Sequence, residues 1–274
     1  MEIFQFTFFQ NALLGVLIVS VMSAMIGTYI ITRRLMFITG GVTHACFGGL
    51  GIGYFMGISP ILMAGIFAVA SSLGVEWLTN KQQVREDSAI SVMWALGMAV
   101  GTIFIFLTPG YVPELNSFLF GNILTITKGD LLAFAIFTAI FIVFFVSCYR
   151  VIVSCAFDKD FARAMGQPVT LVNTIMTVAI AVCVVLTIRL IGIMLLMSLL
   201  SLPQMIAEVF TIRMKPMMVI SVVVSMVCSV AGLLVSYWCG VPASATIVMG
   251  LVLVYVASRI TKKVLSAKNK KIEM

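Results

Sequence analysis

The stretch NALLGVLIVSVMSAMIGTYIITRR, Asn11–Arg34, decides the fold. From Asn11 to Thr32 it carries no charged residue, and a pair of arginines closes it. The hydrocarbon core of a bilayer takes about 20 apolar residues of helix, so this run reads as one membrane span. The paired arginines read as an orientation signal, because Lys and Arg gather on the cytoplasmic side during insertion. A cleavable secretory signal is not expected. Met1–Gln10 has no basic n-region, and no small-residue cleavage site follows the apolar run before Arg33 and Arg34.

The same pattern recurs along the chain. Apolar runs lie at about Phe37–Gly57, Pro60–Thr79, Ser88–Thr108, Leu131–Tyr149, Val169–Thr187, Leu190–Phe210, Met217–Tyr237 and Val241–Ser258. Of 274 residues, 62% are hydrophobic and 10% charged, against about 25% charged in a soluble domain; the mean hydropathy is +1.18. Segments of alternating polarity, which a membrane β-barrel needs, are absent. The expected fold is all-α: a polytopic membrane protein of eight to nine transmembrane helices, forming a single transmembrane domain over residues 1–274. Eight is the count if Phe37–Gly57, with seven glycines and a histidine, or Leu190–Phe210, with Pro203, is a broken or re-entrant segment. Membranes accept such segments only where protein or water satisfies the backbone.

The formal charge of +7 does not point to nucleic acid, because its carriers sit at the ends of apolar runs. Arg33, Arg34, Lys81, Arg85, Arg150, Arg213 and Lys215 all fall on one side if the N-terminus is outside and the C-terminus inside; Lys128 and Arg189 alone fall opposite. The tail Lys262, Lys263, Lys268, Lys270 and Lys271 is expected to meet anionic lipid headgroups. Six cysteines form no C-x-x-C and lie mostly within apolar runs, which suits small packing residues. The 19 methionines are scattered without pairing and read as packing and lipid-facing residues rather than a copper path.

Two joints exceed a turn. Residues 108–130 (TPGYVPELNSFLFGNILTITKGD) form a predicted external loop. The other, AFDKDFARAMGQP (Ala156–Pro168), holds a predicted cytoplasmic helix over 156–166. Phe157, Phe161, Ala164 and Met165 fall on one helical face; acidic residues including Asp160 suit the helix start, and Gly166 and Pro168 suit its end. It reads either as a helix on the lipid surface or as one inserted into a groove of a soluble partner. Two acids against two bases and two Phe anchors fit the second better. No Walker A sequence, nucleophile elbow or HExxH motif is present, so any ATP must be bound by another chain.

With these motifs the chain resembles the zinc/manganese/iron ABC-type permease family, the membrane subunits of metal ABC transporters. The FDxxFARAMG-like helix resembles that family's coupling region. Asn11–Gly49 resembles its opening helix, paired basic residues and Ser/Thr-His stretch; Asn116–Leu124 its external loop; Gly192–Phe210 its apolar run ending at a proline; and Val235–Met249 its last turn and helix. The matches are collinear over essentially the whole chain. The resemblance implies a multi-pass subunit of the bacterial cytoplasmic membrane and a homodimer. It also implies two ABC ATPase subunits beneath and a metal-binding lipoprotein or periplasmic solute-binding protein above. It implies ATP-driven import by alternating access at the dimer axis, with Phe157, Asp160, Phe161, Ala164, Met165 and Gly166 docking in the ATPase. This chain itself would be no enzyme and bind no cofactor; the divalent metal is cargo. Two other readings are an ABC permease for an iron chelate or corrinoid, whose chains look longer with about ten spans, and a stand-alone carrier or channel.

His44 is the chain's one histidine, within an apolar run, and reads either as a packed side chain or as a ligand or gate on the ion path. The resembled family usually places an Asp four residues before it; here that position is Gly40. An Asp–His pair would suit zinc or manganese, and one imidazole alone is a weak site. Glu76 and Glu208, near predicted cytoplasmic ends, read as ion-paired (with Lys81 or Arg85, and with Arg213) or as ion-exit residues. Glu114 and Asp130 in the external loop could attract cations or contact a binding protein.

Overall fold

The computed structural model describes residues 6–110, 121 and 126–272, the side chains of 265–272 excepted. Within these lie twelve helices and no strand: α1 Thr7–Thr32, α2 Met36–Met56, α3 Pro60–Lys81, α4 Glu86–Leu107, α5 Lys128–Ser147, α6 Tyr149–Phe157, α7 Lys159–Ala164, α8 Val169–Ile191, α9 Ile193–Leu199, α10 Leu202–Phe210, α11 Met214–Cys239 and α12 Ala243–Ile272. Nine stretches among the described residues are long and apolar enough to cross a bilayer, with α9 and α10 together making one of them. The chain is a polytopic all-α membrane protein.

Helices α1 and α2 form the centre. α1 packs against α11, α5, α10, α9 and α8, while α2 lies between α3 and α4 and touches α8 and α9. α2 is both the least hydrophobic span, with mean hydropathy 1.2, and the most enclosed, at 78% buried. The outlying α5 and α11 reach 2.5 and 2.6 and are 28% and 33% buried. For α2 a lipid solvent favours this placement, since polar and small groups go inside.

The enclosure of α2 depends on absent side chains. A Cβ on Gly51 would meet the backbone of Gly101 in α4, one on Gly97 would meet Ala45, and one on Gly49 would meet Met63 and Ala64 of α3. With only lipid outside, helix association relies on van der Waals contact, and small residues let backbones approach. The glycine-rich stretch is therefore a continuous, tightly packed helix and not a re-entrant loop.

The broken span is the other candidate, and its break has two causes. Gly192 adopts φ 78, ψ 171 between α8 and α9, a conformation open essentially to glycine alone. Gly121, itself at φ 58, abuts the backbone of Ile191 and Gly192 there. Pro203 then opens α10. It has no N–H to offer the carbonyl four residues back, and the Gln204 side chain substitutes: Nε2 donates to Leu199 O at 3.2 Å and to Ser23 O of α1 at 2.8 Å. Gln204 is fully buried, and the missing side chain of Gly27 makes room for it.

Candidate functional site

Arg33, Lys81, Arg85, Lys159 and Arg213 stand at one end of the bundle, the basic end; Asp130, Arg189 and Cys239 stand at the other. α1 reaches the basic end through a Schellman turn, with Leu35 N donating to Ile30 O at 2.9 Å and Arg34 N to Ile31 O at 2.9 Å. Arg34 occupies the left-handed position, φ 57. This tight reversal leaves Arg33 directed into the protein.

The Arg33 side chain is only 6% exposed, and a guanidinium so placed needs acceptors. Nη1 donates to Asn173 Oδ1 at 2.7 Å and to the Tyr29 hydroxyl at 2.9 Å, and Nη2 lies 3.5 Å from Glu86 Oε1. That same Glu86 oxygen takes Lys159 Nζ at 3.0 Å. Glu86 opens α4, where a carboxylate also suits the helix dipole. One carboxylate thus joins the end of α1, the start of α4 and the start of α7, with α8 included through Asn173. Neither Glu86 nor Lys159 was singled out from the sequence, although an acid opening the run Ser88–Thr108 was the available signal.

Arg33, Glu86 and Lys159 also wall two recesses. The inner one, about 40 Å³, lies between α3 and α8 and is lined by Ser72, Glu76, Thr79 and Thr177 among others; that is room for roughly three water molecules. The outer one, about 670 Å³, opens at the basic end beside Arg34, Phe157, Asp158 and Glu208. Glu76 does not pair with Lys81 or Arg85, and Glu208 does not pair with Arg213, among the described residues. Glu76 Oε1 instead accepts from Thr174 Oγ1 at 2.8 Å, and Glu208 stands exposed at the recess.

The helix expected over 156–166 is two pieces. At Asp158 the backbone is extended (φ −146, ψ 102), and its Oδ1 accepts from Asp160 N at 3.0 Å and Phe161 N at 2.9 Å. An Asp at this position competes for the local backbone and caps a new helix. Phe157 therefore ends α6, whereas Phe161, Ala164 and Met165 belong to α7 and its end. Gly166 takes the left-handed conformation expected of it, φ 73. Ala162 faces inward, while Phe157, Phe161 and Met165 are 60%, 60% and 65% exposed. Asp160 faces water, 3.9 Å from Arg163, and a pair so exposed contributes little.

His44 lies midway along α2, its ring stacked on Trp94 of α4 at 4.3 Å between centroids and 6° between planes. Its Nδ1 is buried and has no hydrogen-bond partner among the described residues. At Gly40, one turn back on the same face, a Cβ would meet the Met197 methyl at 3.2 Å and Trp94 at 3.4 Å. No group of three or more His, Cys, Asp or Glu side chains converges among the described residues. At the far end Asp130 is committed elsewhere: it closes a capping box with Thr127 and accepts from Arg189 Nε at 2.9 Å. Glu114 lies outside the described residues.

The profile of the ABC 3 transport family matches residues 5–262. A Chlamydia pneumoniae protein named a probable metal transport system membrane protein is 35% identical over 250 residues, 89% of this chain and 85% of that one. A manganese transport system membrane protein of Halalkalibacterium halodurans is 27% identical over 251 residues, 90% and 85% of the two chains. In fold, the chain is similar to a solved structure titled PsaBC from Streptococcus pneumoniae in complex with Fab, with a TM-score of 0.81 at 24% identity, covering 94% of this chain and 92% of that one.

Proposed function

The chain belongs to the ABC 3 transport family, and from that premise we propose that it is the permease subunit of an ATP-driven importer of a divalent metal ion. In this reading two copies form a homodimer in a bacterial cytoplasmic membrane, with the basic end in the cytoplasm. Two ATPase subunits sit beneath and a metal-binding solute-binding protein above. Zinc, manganese and iron are the candidate cargoes, and the name of the Halalkalibacterium halodurans relative favours manganese. ATP is bound and hydrolysed by the partner, and the dimer axis opens alternately to either side.

One observation carries the reading. At the basic end, three large apolar side chains, Phe157, Phe161 and Met165, project from a capped six-residue helix and its flanks. Apolar groups held outward on so short a helix suit insertion into a groove of a soluble protein. Lipid is a poorer occupant, because Asp158, Lys159, Asp160 and Arg163 give this segment no net basic face. His44 is the proposed contact for the ion in transit, through the unpaired Nδ1 at mid-span. With Gly40 beside it, any further ligand must come from elsewhere, such as water or the second protomer.

The test is co-purification with the cognate ATPase. Phe161→Asp is expected to abolish association and metal uptake while leaving the permease folded in the membrane. Retained association with unchanged uptake would remove the docking assignment.

A further inference from the structure

Glu86 is shared unequally. Its bond to Arg33 lies deep, against a side chain 6% exposed that is also held by Tyr29 and Asn173. Its bond to Lys159 lies at the rim, 3.0 Å long, with Lys159 36% exposed. Removing a partner from a buried guanidinium is costly, whereas a rim ion pair opens easily. The first bond therefore belongs to the body of the bundle and the second is the detachable one.

Lys159 is the first residue of α7, the helix that presents Phe161 outward. Asp158 caps α7 at one end and the left-handed Gly166 closes the other, so it is built to move as a unit. Ala162 packs inward from it, but Lys159 is the one α7 side chain that makes a polar tie to another helix among the described residues. The tie ends on a carboxylate already in contact with Arg33 at the end of α1, and Arg33 in turn donates to Asn173 of α8. The same three charges form the wall between the inner recess, with Glu76, and the outer, open recess.

We propose that the Lys159–Glu86 contact transmits displacement of α7 to the ends of α1, α4 and α8, and that Glu86 and Lys159 are positioning residues for transport. This rests on the reading of α7 as the ATPase-docking helix. Pulling α7 away from the bundle takes Lys159 from Glu86, leaves Arg33 as that carboxylate's one cation among the described residues and loosens the wall between the recesses. ATPase docking itself is left to Phe157, Phe161 and Met165.

The test uses the complete complex of permease, ATPase and solute-binding protein in proteoliposomes, with Mn²⁺ as probe. Three quantities are measured: ATPase association, ATP hydrolysis and Mn²⁺ imported per ATP. Lys159→Met and Glu86→Gln are expected to keep association and lower import per ATP by about tenfold, a usual size for a coupling between sites. Lys159→Arg is expected to restore the ratio to within about twofold, since it keeps the charge and the donor. Lys159→Met alters a side chain at the rim, so it remains informative should Glu86→Gln fail to fold. An unchanged ratio in Lys159→Met overturns the proposal. Loss of association in Lys159→Met does too, because the contact would then serve docking and not transmission. Failure of the docking reading itself shows separately, as association that survives Phe161→Asp.

Discussion

Gly97→Ala adds one methyl group at a close backbone contact between α2 and α4. The new Cβ would lie 2.8 Å from Ala45 O and 3.0 Å from Ala45 C. Comfortable contact begins at about 3.5 Å, and both parties are backbone, so no side chain can swing aside. Helices α2 and α4 must part by roughly 0.5–1 Å. Overpacking of this kind costs about 1–3 kcal/mol, and rigid neighbours put this case near the upper end. Alanine returns about 1 kcal/mol through its better helix propensity, leaving a net loss of about 2 kcal/mol. At roughly 2–4 °C per kcal/mol for larger chains, the unfolding midpoint should fall by about 4–8 °C. Gly250→Ala supplies the contrast, because nothing lies within 4 Å of its added Cβ. Only the propensity gain remains there, and the midpoint should rise by about 2–4 °C. Thermal unfolding of the purified proteins in detergent reads both, and fluorescence in a background with Trp77 and Trp238 changed to Phe reports the neighbourhood of Trp94. A Gly97→Ala protein unfolding at or above the wild-type temperature would refute backbone contact between α2 and α4. The stacking of His44 on Trp94, which that contact holds in register, would fall with it.

Three further outcomes are expected. His44→Ala should reduce Mn²⁺ uptake by about tenfold or more while ATPase association persists, since losing even a group that only supports a metal ligand typically costs about tenfold; unchanged uptake makes His44 a packing residue. Asp130→Ala removes half of a capping box and the partner of Arg189, and should lower the unfolding midpoint by about 2–4 °C for a loss of about 1 kcal/mol; no change would show the cap to be idle. A membrane-impermeant maleimide added to intact cells should label Cys239, which is exposed at the end opposite the basic cluster, and should spare Cys155, whose thiol burial pushes upward against the pull of Arg33. Labelling of Cys239 only in inside-out vesicles would reverse the proposed orientation.

Span type was legible, and span number to within one (eight or nine), because hydropathy acts over whole segments, and Asn11–Thr32 alone already exceeds a bilayer's need. What eluded the sequence were features set by single atoms or by tertiary partners. Phe157 and Phe161 share a helical phase on paper, but Asp158 can cap, and one side-chain oxygen divides the segment in two. Glu76 and Glu208 have bases nearby in sequence, whereas the carboxylate that joins helices at the basic end is Glu86, whose partners lie 53 and 73 residues away. Gly40 and His44 were visible as a spacing; the Trp94 and Met197 side chains that close around them come from other helices. The glycines of α2 could be counted but their facing backbones could not, so a packed helix was indistinguishable from a re-entrant one.

The Pro203–Gln204 pair bears on how the chain is made. The amide that repairs the break needs an acceptor, and one of its two acceptors is Ser23 O, 181 residues earlier. During synthesis the segment Ile193–Phe210 enters the membrane with a proline, a glutamine and an open carbonyl turn, and the Gln204 amide nitrogen gains its Ser23 acceptor only once α1 lies alongside. A helix inserted earlier therefore serves as the template that completes one inserted much later. A fragment starting after Met36 should insert that segment poorly, and co-expression of α1 as a separate peptide should restore it.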